Sequence, residues 1–281
     1  MAFDEFALAH EPAIRLSAFL SVFAVMAAWE AFAPRRVRLH PRLRRWSANL
    51  GLVVFNTVLL RLLMPVAAVG FATLAAQRGW GLLNNLALPG ELALLLAVVA
   101  MDFAIWLQHV MVHAVPVLWR LHQVHHADPD YDVTTGARFH PIEIILSMAI
   151  KFAVIAVLGA PPAAVLVFEV LLNATAMFNH ANVKLPTAAD AVLRLLLVTP
   201  DMHRVHHSTD NAEANSNFGF NLSLWDRLFG TYRAQTRLPQ ESIEIGVTGL
   251  TGDPRCVSLP GMLAIPFTND GDGYAIGHEA R

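Results

Sequence analysis

Four apolar stretches, the last of them a pair, limit what this chain can fold into. Three are long enough to cross a bilayer unaided: Ile14 to Ala33, Leu50 to Ala76, and Leu92 to about His113. A hydrocarbon core of about 30 Å takes roughly 20 helical residues. The last two runs, 142–158 and 163–178, are shorter and flank Gly159-Ala160-Pro161-Pro162, which reads as the tight turn of a helical hairpin. Hydrophobic residues make up 55% of the chain and charged ones 15%, against roughly 45–50% and about 25% in soluble domains. One water-soluble core does not need that much apolar surface, so the bilayer is the expected solvent. No basic n-region precedes the first run, which reads as a retained span and not a cleaved signal.

Orientation follows from the arginines, which outnumber lysines eighteen to two. Arg35, Arg36, Arg38, Arg42, Arg44 and Arg45 fall between the first two spans, and only Arg78 between the second and third. The positive-inside rule puts the first connection in the cytoplasm. Span three then ends on that side, and the hairpin returns to it. The formal net charge of −2 shows no basic face for nucleic acid.

Thirteen histidines are many for 281 residues, and most are grouped. His109 and His113 close span three. His122, His125 and His126 follow it, His180 ends the hairpin, and His203, His206 and His207 lie beyond. All nine fall on the side that the arginines mark as cytoplasmic. Residues three and four apart share a helix face, so each triple leaves one side of a single turn. Neutral imidazoles packed together need polar partners, and protonated ones would repel. A metal resolves both conditions, and imidazole suits Fe, Zn, Cu and Ni. His10, His40 and His278 read as ordinary solitary histidines. Cys256, the only cysteine, excludes an intrachain disulfide and thiolate metal sites.

The segments 102–126 (DFAIWLQHVMVHAVPVLWRLHQVHH), 134–143 (TTGARFHPIE), 178–186 (FNHANVKLP), 201–208 (DMHRVHHS) and 217–233 (NFGFNLSLWDRLFGTYR) together resemble the fatty acid hydroxylase (sterol desaturase) superfamily. The resemblance covers roughly residues 90 to 235, in order and spacing. It implies an all-α integral-membrane helical bundle with a cytoplasmic-side helical cap that carries the histidine boxes. It also implies a di-iron centre that uses O2 to hydroxylate or desaturate an aliphatic lipid carbon. By motif, His109 and His113 match the first box, His122, His125 and His126 the second, and His203, His206 and His207 the third. His180 fits the isolated histidine that completes the ligand set in related enzymes. Val110 stands where family members often carry Arg, which puts that arginine's role in doubt here.

Ligating imidazoles usually give their other N–H to a carboxylate or carbonyl. Asp102, seven residues before His109 on the same helical face, and Glu143, Asp201 and Asp226 are the candidates for that service. His140, in the His-Pro pair, is placed behind the ligands and not among them, and Asp226 serves equally well as a turn cap. Trp106, Trp119, Phe139, Phe168 and Phe178 are placed to line a substrate cavity, though packing is the commoner role at such depths.

No Gly-rich dinucleotide fingerprint appears, so electrons come from an external donor, a ferredoxin or a cytochrome with its reductase by resemblance. The expected organisation is 1–90 as N-terminal spans, 91–235 as histidine-box core, and 236–281 as a soluble cytoplasmic tail without a core of its own. The expected setting is a bacterial inner membrane. Two other classes use similar residues. A metal transporter would spread ligands along a transbilayer path, whereas these gather at one end. A zinc hydrolase of the HExxH type needs a glutamate base that is missing here.

Overall fold

The apolar runs become helices wherever nothing interrupts them. The computed structural model describes residues 2–64 and 66–269 and is all-helical among them, with isolated β-bridges; His278 lies outside the described residues. In chain order the helices are α1 (Ala2–Ala9), α2 (Glu11–Phe32), α3 (Arg42–Leu63), α4 (Ala68–Gln77), α5 (Gly90–Ala114), α6 (Pro116–His126), α7 (Pro141–Leu158), α8 (Pro162–Asn179), α9 (Thr187–Leu193), α10 (Pro200–His206), α11 (Asn211–Ala214), α12 (Leu224–Leu228) and α13 (Leu259–Thr268). Among the described residues, five spans are long and apolar enough to cross a membrane: α2, α3 continued by α4, α5, α7 and α8. Their outward faces expose Leu16, Leu20, Val54, Val58, Leu95 and Val157, as lipid contact requires.

Two boundaries differ from the sequence reading. The second span begins at Arg42 instead of Leu50, so Arg42, Arg44 and Arg45 belong to the first turn of α3. That span also breaks: α3 stops at Leu63 and α4 starts at Ala68. Pro65 falls in the gap, and proline has no N–H to continue a helical ladder. The hairpin turn is as expected. Gly159 caps α7 in the left-handed region at φ 69°, and Pro162 opens α8.

α8 is the most enclosed span and packs against α2, α4 and α5. Small residues let these helices approach: Ala68, Ala72 and Ala75 of α4, Ala97 of α5 and Ala164 of α8 are all buried in one cluster. Close backbone approach is how helices associate where lipid removes the hydrophobic incentive.

At one end of the bundle sits the cap. The end of α2 joins it, with Arg35 N–H donating to Asn182 O at 2.8 Å. The arginine run and the histidines therefore occupy the same end. Arg45 is fully buried and donates to Asp128 at 2.8 and 2.9 Å and to Asp132 at 2.7 Å. Burial alone would raise the Asp128 carboxyl, but Arg45 and Arg138 overcome it and hold the group well below its usual range. Among the described residues the tail packs onto the cap and has no separate core. Val247, Leu250, Cys256, Met262 and Ile265 pack with Trp119 and Val124 of α6 and with Ala48 and Leu52 of α3.

Candidate metal centre

Each histidine-bearing helix of the cap opens on a proline, Pro116 for α6 and Pro200 for α10. At that position the missing N–H costs nothing and φ is already helical. α5 ends at Ala114 and α6 turns back directly, so His109 and His113 face His122 and His126, with ring centroids 5.0 Å apart for His109–His122 and 4.8 Å for His113–His126. α10 brings His203 and His206, its C-cap is His207, and His180 caps α8.

The nine imidazoles form two groups: His109, His113, His122, His126 and His206, and His125, His180, His203 and His207. Within each group one nitrogen per ring lies within 4.8 Å of all the others, and every residue is buried. Nε2 atoms approach closely: His113 to His126 at 3.1 Å, His109 to His206 at 3.0 Å, His125 to His180 at 3.1 Å and His180 to His203 at 3.1 Å. Two nitrogens each about 2.1 Å from one shared ion, at right angles, stand about 3.0 Å apart. The donor set therefore fits metal ions.

Four rings have their opposite nitrogen fixed. His109 Nδ1 donates to Phe218 O at 2.7 Å, His180 Nδ1 to Ala176 O at 2.7 Å, and His206 Nδ1 to Ser216 O at 2.8 Å. His122 Nδ1 donates to Glu143 Oε1 at 2.7 Å. A carbonyl can only accept, so these contacts set the tautomer and leave Nε2 with its lone pair free for a ligand role. His122 Nε2 and both ring nitrogens of His207 are buried without a hydrogen-bond partner among the described residues. Burial, reinforced by neighbouring imidazoles, pushes His125, His126, His203 and His207 far below the ordinary histidine value. Burial takes His206 down to about 3, so the rings are neutral donors at physiological pH.

The carboxylates divide by distance from the rings. Glu143 meets His122 directly. Asp226 acts one peptide away: it accepts from the N–H of Phe218 and of Gly219, both at 2.9 Å, and from Trp106 Nε1 at 3.0 Å. It thus steadies the carbonyl that receives His109. Asp102 accepts from Asn221 at 2.7 Å and Trp225 at 2.8 Å, bracing the same 217–226 loop. Asp201 pairs with Arg35 and Arg204, away from the rings. His140 caps α7, its Nδ1 accepting from Ile142 N–H at 3.3 Å, with Nε2 toward Leu263 O.

Beside the first group lies a cavity of about 420 Å³ between α2, α3, α5, α7 and α8, with His109, His122 and Glu143 in its wall. Of the five aromatics picked from the sequence, Phe139 lines it; Phe19 and Phe220 do too, and were not anticipated. Trp119 packs instead on the rings of His113 and His126, and Phe168 lies in the bundle core. The carbonyl acceptors Phe218, Ser216 and Ala176 were also missed, because every residue has a carbonyl and only the fold selects one. Tyr131 carried a signal, the acidic HADPDYD run after the second box. Its OH donates to Asn179 O at 2.7 Å and its ring lies 5.5 Å from that of His180.

Fold and site together define a helical membrane protein with two adjoining histidine clusters at one end of its bundle. Residues 94–231, which hold all nine of these histidines, match the fatty acid hydroxylase family. It is 32% identical over 193 residues to the ornithine lipid hydroxylase OlsE of Rhizobium tropici, covering 69% of this chain and 56% of that protein. Human alkylglycerol monooxygenase is 32% identical over 155 residues, 54% of this chain and 32% of its own length. Human cholesterol 25-hydroxylase is 24% identical over 217 residues, 75% and 77% respectively. The chain thus spans about half of the first of these relatives and about a third of the second. No solved structure matches it.

Proposed function

We propose that this protein is a di-iron oxygenase that uses O2 and external electrons to hydroxylate or desaturate an aliphatic carbon of a membrane lipid or sterol-like substrate. One observation carries the reading: two buried all-histidine groups sit side by side, and the first opens on a lipid-sized cavity inside the bundle. His109, His113, His122, His126 and His206 would hold one ion and His125, His180, His203 and His207 the other. Five nitrogens exceed what a closed tetrahedral zinc site takes, which favours iron over zinc. Two bound irons would supply the oxidising power toward an unactivated C–H bond that side chains lack.

The chain's own residues do the rest. The cavity holds an apolar chain beside His109 and His122 and keeps water out. Phe139 stacks on His125 with centroids 4.4 Å apart and walls the second group off from the cavity. Glu143 orients His122 through Oε1, while Oε2 is buried without a partner among the described residues, placed to take a proton released there. Relatives named for ornithine lipid, alkylglycerol and cholesterol all carry a long apolar body, and the cavity suits that class. The arginine run supports a cytoplasmic histidine end by the positive-inside rule, and the reading takes a bacterial inner membrane as setting and a ferredoxin or a cytochrome with its reductase as donor. In functional terms 1–90 anchors, 91–235 reacts, and the described part of 236–281 packs against the cap.

The test is expression in a heterologous bacterium with lipid mass spectrometry. The expected result is a lipid heavier by one oxygen or lighter by two hydrogens, absent with His125→Ala. An unchanged lipid profile from protein loaded with iron and supplied with a reductant would overturn the reading.

A further inference from the structure

The cavity ends in charges that the proposed reaction does not use. On four helices its lining residues run from one end to the other over seven positions: Val53 to Leu60, Ile105 to Val112, Ile144 to Lys151, and Ala176 back to Glu169. Seven residues at 1.5 Å rise make about 10 Å. His122 and Glu143 stand at one end, with His109 part-way along α5, and Arg15, Lys151 and Glu169 at the other. Glu169 pairs with both Arg15 and Lys151, and Arg15 also holds Glu11 at 2.8 Å. The side chains are largely hidden, 29% exposed for Arg15, 12% for Lys151 and 7% for Glu169.

Ionisable groups are costly inside a bilayer and mark functional positions there. Lys151 lies seven residues before the end of α7 and Glu169 seven after the start of α8, so both sit about 10 Å along helices of about 27 Å. Two cations and one carboxylate line the cavity end, and Glu11 is outside the lining. With Glu11 counted the cluster is formally neutral, so the N–H donors of Arg15 and Lys151, and not a net charge, are what the cavity end offers an anion. An ammonium has three donors, and Glu169 engages one side of Lys151.

Resting on the oxygenase reading, we propose that Arg15 and Lys151 bind an anionic oxygen group of the lipid substrate, a carboxylate or a phosphate. The distance then chooses the carbon. An extended alkyl chain advances about 1.25 Å per carbon, from a C–C bond of about 1.5 Å, so about eight carbons run the length of the lining and about five reach the level of His109, four residues along α5 from Ile105. Charge-assisted bonds to an oxyanion are short and directional, which makes the cluster a ruler as well as a binding group.

The experiment is equilibrium binding by calorimetry to the full chain in phosphatidylcholine nanodiscs, with decanoate, decyl phosphate and decanol as probes. Wild type should bind one or both anions at least 10-fold more tightly than decanol, and the better anion identifies carboxylate or phosphate as the group. Lys151→Met should bring that ratio close to one, with Lys151→Arg restoring it; Arg15→Gln provides the same comparison if Lys151→Met fails to fold. Equal binding of anions and decanol by wild type overturns the proposal. So does a ratio unchanged in the variants while their thermal stability falls, since the cluster then only ties α2 to α7 and α8. Binding needs no turnover, so an anion preference without any product would count against the oxygenase reading and leave the anchor standing.

Discussion

The two histidine groups are built from the same residue type and differ in what surrounds them. In the first group His109, His122 and His206 each give Nδ1–H to a fixed acceptor, and two members face the cavity. In the second, His180 alone among the four has such an acceptor, Ala176 O, and none of the four lines the cavity. Phe139 and Tyr131 close it in instead. Identical side chains thus sit in different surroundings: the first group opens on the cavity, and the second is enclosed.

That contrast breaks or sharpens through substitution. The largest effect comes from removing one ligand of either group. His206→Ala and His203→Ala should each lower turnover about 100-fold or more, the upper end of what loss of metal-site support costs. Steady-state rates with metal content per chain check this, and full activity in either variant contradicts the shared-centre account. Next, Glu143→Gln should cost about 10- to 100-fold in activity or metal affinity, confined to the ion of the first group. Equal loss from both groups would erase the distinction.

Gly136→Ala acts on the second group. A Cβ there would stand 2.6 Å from Ala176 O and 3.2 Å from His180 Nδ1, so the one acceptor of that group must move. Weaker retention of one ion, by about 10-fold, is the expected result in a chelator competition. The smallest effect concerns the metal-free protein. Burial takes His180 and His206 from an ordinary 6.5 down to about 3. Unfolded chains bind those protons first, so stability is held above about pH 6.5 and lost as pH falls from there toward about 3. Thermal melts of apo protein across that range check the sign, and melting that rises on acidification contradicts it.

The spans and the nine histidines were legible because both rest on local pattern: apolar runs of bilayer length, and imidazoles at helical spacing. Arg45 was not. Next to a span it reads as a topology signal, yet it is buried against Asp128 and Asp132, about eighty residues later in the chain. Asp226 was found as a carboxylate but its task was not, because it works through the backbone of Phe218 and Gly219. The break between Leu63 and Ala68 was available from the proline in the intervening sequence and was overridden by the apolar run around it. Where 236–269 packs could not be read, since its scattered Val247, Leu250 and Ile265 find their partners on α3 and α6 only in three dimensions.

Nine imidazoles that hold two ions side by side fix a stoichiometry. Anaerobic titration of ferrous iron into metal-free protein in nanodiscs, followed by Mössbauer spectroscopy after oxidation, addresses it most directly. Saturation at two irons per chain with magnetic coupling between them is expected. Saturation at one ion, or two uncoupled irons, would contradict it.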